Sequence, residues 1–390
     1  MKSDELYKHL EFTNEFSVDD WNDLISIKFR PYFRSNKIFN SNKEVLRTEI
    51  INYIKFSEKP DLLTLFDWTF LIFKECFERD ENLAIKQLSD SFYEISDTDL
   101  RWMTNAIIQP NPTDFSERDK ISYYFKVIDE ILEGVFKPRF RLFDKFINYY
   151  TKGTYYDNSK IDFGQIIQNF PDLESVPATL YLKDPYFSIT TNQWRNISAH
   201  KTFAINKDSI SIEYGKKNIK TLSISFEQLK LILDWTQDIY QVIRFAEVFI
   251  NLNFTKEVVV ALGGTGKMKL RFESVLMHLI NNIQIVGFQF VSTIEKDTTF
   301  ILQLKKKINF DLKDSIIHAS QFLEHLSRAV NNDEYTRDKF THVQVEVIDY
   351  ENEKSASATV KISFAMSKVQ KELKLDEYIQ NIEFKTNNFA

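Results

Sequence analysis

An arginine and a histidine lie five residues apart in the stretch WRNISAH, which runs from Trp194 to His200. The imidazole of histidine has an ordinary pKa of about 6.5, so it can accept a proton at neutral pH. The guanidinium of arginine holds phosphate oxygens with a fixed fork of donors and stabilises negative charge that develops on them. Because RNA carries its own nucleophile in the 2′-hydroxyl, Arg195 and His200 could cleave RNA without a metal and leave a 2′,3′-cyclic phosphate.

The motif lies in a basic part of an acidic chain. The net charge of −6 gives no global field that attracts nucleic acid, yet Arg195 to Lys220 carries six basic residues and only two acidic ones. The stretch 137–152 carries five basic residues and one acidic one. Both segments could bind a phosphate backbone, with an ordinary solvated surface as the alternative. The residues expected to contact RNA are Lys201, Lys216, Lys217, Arg141 and Lys145.

Helix geometry sets a condition on the motif. Five residues rotate by about 140° along an α-helix, so the side chains of Arg195 and His200 diverge on a straight helix. The motif must therefore lie at a helix end, or two copies must meet across a twofold axis. We expect a dimer, in which two arginines and two histidines share one cleft. Trp194 is expected to be a core residue, with stacking on a base as the alternative.

Length and composition limit the class of protein. The 390 residues favour two or three domains, and the 43% hydrophobic content is enough for large cores. Cys76 is the only cysteine, which excludes an intrachain disulfide and a cysteine metal cluster. The chain begins without an apolar signal core and contains no run of about 18 apolar residues. We therefore expect a cytoplasmic protein with no membrane span.

Hydrophobic periodicity predicts a mainly α chain with an α+β C-terminal part, divided into residues 1–115, 116–252 and 253–390. The first region is predicted to be helical, and its boundary follows the breaker Pro110–Asp114. The predicted helices there are 18–30, 43–57, 61–79 and 96–108.

The second predicted region combines helices with short strands. Helices are predicted from Ser116 to about Gly134 and from Pro138 to Tyr150, with Gly153 as the stop. The strands TFAI, SISIEY and TLSISF precede a long closing helix. The third region reads as a helix and a hairpin repeated twice, with helices at 268–283 and 312–331 and turns near 295–297 and 351–354. Its last strand is expected to include Ile362 and Phe364.

The sequence RNISAH resembles the R-x4–6-H motif of the HEPN superfamily (higher eukaryotes and prokaryotes nucleotide-binding). The similar region covers residues 118–252, one third of the chain, and includes a short FGQII helix and a small β-hairpin. The resemblance implies a helical bundle, a homodimer and a metal-independent endoribonuclease. Arg195 and His200 match its two catalytic positions, and Asn196 matches the polar position after the arginine.

The resemblance also implies a biological setting. Many HEPN proteins act as toxins or as anti-phage abortive-infection effectors that stay inactive until triggered. RNA, a second copy of the chain, and a phage trigger or regulatory protein are thus the expected partners, and no cofactor is expected. Some members lack activity, so the alternative is a non-catalytic HEPN-like module that dimerises and binds RNA or protein.

A second motif, GGTGK at 263–267, resembles part of a phosphate-binding loop. It departs from the full pattern because Ala261 stands where a glycine is needed and Met268 where a serine or threonine is needed. The preceding VVVAL is expected to be a strand. A turn between domains is the favoured interpretation, with backbone anion binding as the alternative. His318 and His325 do not have the spacing of metal ligands, and no metal site is expected.

Overall fold

The fold is known from a computed structural model. Three domains were predicted, whereas the chain divides into two compact units, Met1–Trp102 with Gln109–Met268 and Met103–Ile108 with Lys269–Ala390. The structure describes residues 18–107, 115–171, 178–206, 209–215, 218–264, 275–276, 279–280, 283, 287–306, 311–332, 334–349, 354–369 and 372–388. The predicted breaker 110–114 and most of the predicted helix 268–283 lie outside these ranges.

The first unit is a helical assembly around one aromatic-rich core. The long helix Phe226–Asn253 begins at a capping box made by Ser225 and Gln228, and it packs on Asn36–Ser57, Pro60–Arg79 and Glu117–Asp129. Its buried face therefore joins regions that were predicted to be separate domains. The helices that begin in this unit are Val18–Phe29, Asn36–Ser57, Pro60–Arg79, Glu81–Ile107, Glu117–Asp129, Lys137–Lys152, Phe163–Asn169, Thr179–Leu182, Thr191–His200, Phe226–Asn253 and Thr255–Ala261.

Two predicted helix starts were wrong. The second helix begins at Asn36 rather than at residue 43, because the Ser35 hydroxyl accepts a hydrogen bond from the Ile38 backbone and caps it. The fourth helix begins at Glu81 rather than near residue 96. Asp99 therefore lies inside a helix, and its carboxylate forms an ion pair with Arg139 at 2.6 Å instead of capping a helix start.

The helix that begins after Ser116 does not stop at Gly134. It passes through a π-helical segment, Glu130–Phe136, and continues as Lys137–Lys152. Gly134 is buried, and the Arg101 side chain lies 3.8 Å from the position that a Cβ would occupy. The helix ends where predicted, because Gly153 takes up a left-handed conformation with φ of 73°.

The predicted small hairpin is a three-stranded antiparallel sheet of β1 (Phe203–Ile205), β2 (Ile210–Tyr214) and β3 (Lys220–Ile224). In the middle strand Ile210 and Ile212 are buried while Glu213 is exposed. This alternation matches the pattern of a strand with one buried face.

The stretch VVVAL was wrongly predicted as a strand, since Thr255–Ala261 is helical. Val258 is buried and Val260 is 74% exposed. Two residues at this spacing share a face of a strand but point in different directions on a helix. The opposite environments of the two valines are therefore those that a helix provides.

The second unit contains a five-stranded mixed sheet. Its strands are β4 (Phe288–Lys296), β5 (Thr299–Lys306), β6 (His342–Asp349), β7 (Lys354–Lys361) and β8 (Glu383–Asn388), and they lie in that order across the sheet. Both predicted hairpins are confirmed, because β4 pairs antiparallel with β5 and β6 with β7. The two hairpins join through β5 and β6, which run parallel. Its helices are Leu312–Ala319, Phe322–Asn332, Glu334–Arg337, Ile362–Val369 and Leu375–Gln380.

Two details of this unit differ from the prediction. The expected single helix 312–331 is broken between Ala319 and Phe322. Ile362 begins a helix rather than ending a strand, because Ile362 and Ala365 are both buried at helical spacing. The chain is thus mainly helical with an α+β C-terminal part. Among the described helices, none is long and apolar enough to cross a membrane.

Candidate active site

The motif lies on the helix Thr191–His200, which is fixed to the first unit by Trp194. This side chain is fully buried, and its indole nitrogen donates a hydrogen bond to Asp184 Oδ2 at 2.8 Å. The same carboxylate accepts backbone hydrogen bonds from the turn just before the helix, including one from Ile189 at 2.8 Å. Trp194 is therefore a core residue, and its contacts fix the orientation of the helix that carries Arg195.

Two further contacts position the motif helix. The FGQII helix, Phe163–Asn169, packs on it at Gly164, where a Cβ would lie 3.0 Å from the amide nitrogen of Asn192. On another side, the side-chain oxygen Oε1 of Gln193 accepts a hydrogen bond from the backbone N–H of Gly215 at 3.0 Å. The glycine permits a close helix contact, and the glutamine connects the helix to the small sheet.

The structure places the motif in the last turns of its helix, which is one of the two arrangements that its spacing allows. His200 is the last helical residue, and Lys201 turns the chain with a positive φ of 54° before the first strand. His200 and Lys201 are exposed, while Arg195 and Asn196 are half-buried. Asn196 precedes His200 by four residues and so lies on the same helix face.

A carboxylate that the sequence prediction did not include faces Arg195. Glu133, on the π-helical segment, has its Oε2 atom 3.2 Å from Arg195 Nε. The two atoms are close enough for an ion pair but lack hydrogen-bond alignment, and neither has another hydrogen-bond partner among the described residues. The other oxygen of Glu133 contacts the Lys137 ammonium. Arg195 thus has a negative partner within its own chain.

A second carboxylate, that of Asp129, interacts electrostatically with both Arg195 and His200. Burial raises the pKa of the Asp129 carboxyl, and repulsion from Glu133 raises it further. Attraction to Arg195 and to His200 opposes this shift. Arg195 and His200 therefore act on one carboxylate although helix rotation separates their side chains. A π-helical segment often marks a functional site, because it displaces side chains from regular α positions.

The predicted RNA-contacting residues are placed unequally. Lys201 is exposed immediately after His200, whereas Lys216 and Lys217 lie outside the described residues. Arg141 is half-buried and donates a hydrogen bond to the backbone oxygen of Ile161 at 2.9 Å. Lys145 is half-buried on the same helix. The motif and Lys201 are therefore together, and Arg141 has a structural role in fixing a loop.

The basic stripe of the helix Lys137–Lys152 is not a uniform solvated face. Arg139 is 1% exposed and forms ion pairs with Asp99 and Glu247. Arg244 shares Asp99 and also contacts Glu49 at 2.5 Å. Arg139 is thus part of a buried charge network, and its positive charge is offset inside the first unit.

The described part of GGTGK forms a helix end. Gly263 and Gly264 both have positive φ angles, of 98° and 88°. Their backbone N–H groups donate to Val260 and Val259 of the preceding helix at 3.0 and 2.8 Å, which is the bonding pattern of a Schellman cap. These donors are used by the cap, which favours the turn interpretation, while residues 265–267 lie outside the described ranges.

Asp129 and Glu133 are the site residues that sequence reasoning missed. Their spacing of four residues was visible, and it puts them on one face of a helix. Nothing in that spacing tells which distant helix the face meets.

Comparison with known proteins gives no further guide, because no family model, curated protein or solved structure matches the chain.

Proposed function

We propose that the protein is a dimeric, metal-independent endoribonuclease of HEPN type, acting in the cytoplasm as an anti-phage or toxin effector. The observation that supports it is the position of the motif at a helix end, where His200 is exposed and Arg195 is half-buried. Catalysis at an Arg–His pair requires both side chains to reach one phosphate. Both side chains also interact electrostatically with one carboxyl group, that of Asp129, whose pKa each of them acts to lower.

In the proposed reaction His200 removes the proton of a 2′-hydroxyl, and the resulting oxygen attacks the adjacent phosphorus. The bond from phosphorus to the 5′-oxygen breaks, and that oxygen takes a proton as it leaves. Arg195 stabilises the charge on the phosphoryl oxygens. The His200 of the second copy in the dimer is the proposed proton donor, and Asn196 is the proposed positioning residue for the imidazole.

The ion pair between Glu133 and Arg195 is the proposed resting state of the site. An RNA phosphate and the Glu133 carboxylate compete for the same guanidinium of Arg195. Cleavage then requires the helix contact between Glu133 and Arg195 to open. Such a contact would keep an effector inactive until a phage trigger or a regulatory protein opens it.

The alternative is a non-catalytic HEPN-like module that dimerises and binds RNA or protein. The observation that favours it is the acidic surrounding of the motif, since Glu130 and Glu133 act to raise the pKa of the Asp129 carboxyl while Arg195 and His200 act to lower it. Three carboxylates beside two bases weaken the attraction for a polyanion.

One experiment separates the two functions. RNA is isolated from cells that express wild type, His200→Ala or His325→Ala, with and without phage infection, and new 2′,3′-cyclic phosphate ends are mapped. His325 is an exposed histidine on a helix of the second unit and serves as the matched control. Discrete ends in wild type and His325→Ala only are expected. Cyclic phosphate ends that persist in His200→Ala exclude His200 as the catalytic base. If infected wild-type cells show no new ends, the non-catalytic module is favoured.

A further inference from the structure

A cavity of about 320 Å³ lies in the first unit, among the turn after Phe29, the helix Pro60–Arg79 and the end of Phe226–Asn253. None of its lining residues belongs to the Arg–His motif. Its volume is at the lower end of the range of about 300–1,000 Å³ that small-molecule pockets span. The cavity therefore has room for one small organic molecule.

Aromatic rings form much of the cavity wall. Tyr32 and Phe70 meet edge to face at 5.2 Å, and Phe77 and Phe254 stack at 4.1 Å. Because Phe77 and Phe254 cover one face of each other, a flat ligand would meet mainly ring edges here, and edge-to-face contact is a favoured arrangement of aromatic groups. The wall thus favours a planar aromatic molecule over a flexible aliphatic one.

Arg34 lies at the cavity with its position already set. Its backbone N–H donates to the Asn253 side chain at 2.8 Å, and its guanidinium lies 4.3 Å from the centre of the Phe254 ring. Nη2 forms an ion pair with Glu257 at 2.5 Å, whereas Nη1 is 3.9 Å from Glu81, too far for a hydrogen bond. Among the described residues Nη1 therefore has no hydrogen-bond acceptor, and it is free to donate to a ligand.

The charged groups that line the cavity are two cations, Arg34 and Lys74, and two carboxylates, Glu78 and Glu81. Arg34 is also paired with Glu257, which lies outside the lining. Lys74 and Glu78 are only loosely paired at 3.6 Å, and both side chains are more than half exposed. The cavity therefore has no excess of positive charge that would attract a phosphate strongly. It complements a neutral molecule whose edge carries both donors and acceptors.

We propose that this cavity binds a purine base as a neutral nucleoside, with guanine preferred over adenine. Guanine presents the acceptors O6 and N7 to an arginine or lysine, and its N1–H and N2–H donors suit a carboxylate. Adenine places an acceptor at N1, which a carboxylate repels. Arg34 and Lys74 would donate to O6 and N7, and Glu78 would accept hydrogen bonds from N1–H and N2–H.

The test measures guanosine binding to the full chain by isothermal titration calorimetry. Arg34→Ala is expected to weaken binding at least tenfold. Arg79→Ala is the matched control, because Arg79 also stacks on an aromatic ring, that of Tyr150, and pairs with Glu75. This control should bind as wild type does. Glu78→Gln, at an exposed position that does not hold the fold together, is expected to weaken guanosine binding and to reduce the preference over adenosine.

Three outcomes overturn the proposal. Guanosine that fails to bind wild type at millimolar concentration removes the site. Choline or inorganic phosphate that binds more tightly than guanosine replaces the nucleoside with a cation or an anion. Equal losses in Arg34→Ala and Arg79→Ala trace the effect to general destabilisation. None of these results depends on ribonuclease activity, so this inference and the proposed function can fail separately.

Discussion

Replacing Glu133 with glutamine should make the protein bind RNA more tightly. The carboxylate of Glu133 lies 3.2 Å from Arg195 Nε, and the two side chains are 42% and 20% exposed. Ion pairs that are open to solvent to this extent contribute about 0.2–1 kcal/mol. Since about 1.4 kcal/mol corresponds to a factor of ten in affinity, a phosphate that no longer displaces the carboxylate should gain about 1.5- to 5-fold.

Fluorescence anisotropy can measure this gain with a labelled RNA that carries 2′-O-methyl sugars, because an RNA without free 2′-hydroxyls has no internal nucleophile and is not cleaved. The ionic strength must be the same throughout, since phosphate contacts depend strongly on salt. Glu117→Gln makes the same change in net charge at the start of the same helical stretch, about 24 Å away along the axis. A Lys137→Gln background removes the ammonium that also contacts Glu133.

If Glu133 competes with phosphate for Arg195, Glu133→Gln should gain more RNA affinity than Glu117→Gln, both in the wild-type and in the Lys137→Gln background. Equal gains in the two variants would mean that net charge alone is responsible. Weaker binding by Glu133→Gln would refute the competition outright, because Glu133 would then hold Arg195 in its RNA-binding position.

Two further predictions concern the core of the first unit. Arg139→Met leaves the buried carboxylate of Glu247 without its ion-pair partner and should lower the free energy of unfolding by about 3–5 kcal/mol. Adding Glu247→Leu should recover most of that loss, and urea unfolding measures both variants. A double variant no more stable than Arg139→Met would contradict this account of the ion pair. Burial raises the pKa of the Cys76 thiol to about 12, so a disulfide reagent at pH 8 should modify Cys76 only as fast as the chain unfolds. Modification within seconds in native buffer, with folding intact by circular dichroism, would show that the thiol is accessible.

Several features of the fold could be predicted because they depend on local patterns. The alternation of Val343, Val345 and Val347 predicts a strand with one buried face, and these valines are fully buried in the sheet. Gly153 ends its helix because a glycine enters the left-handed region without the cost that a Cβ imposes. Each of these signals is contained within a few residues of the chain.

Local patterns also misled where packing opposed propensity. Valines at 258–260 favour a strand, yet one is buried and one exposed on a helix. For the glycines at 263 and 264 a turn was the favoured prediction over a phosphate loop, and their N–H groups close a helix end. The strand prediction at VVVAL was wrong because residue preference does not decide which sides of a segment are buried against the rest of the unit.

The sequence by itself determined the Arg–His spacing, the helix-rich character and the two C-terminal hairpins, because residue type and periodicity are local properties. Only the tertiary structure decided that Glu133 faces Arg195, that Asp129 interacts electrostatically with both motif residues, and that Arg139 is buried. These facts depend on which faces of distant helices meet. That choice minimises exposed apolar surface and unpaired charge over the whole unit, and it is not contained in any one segment.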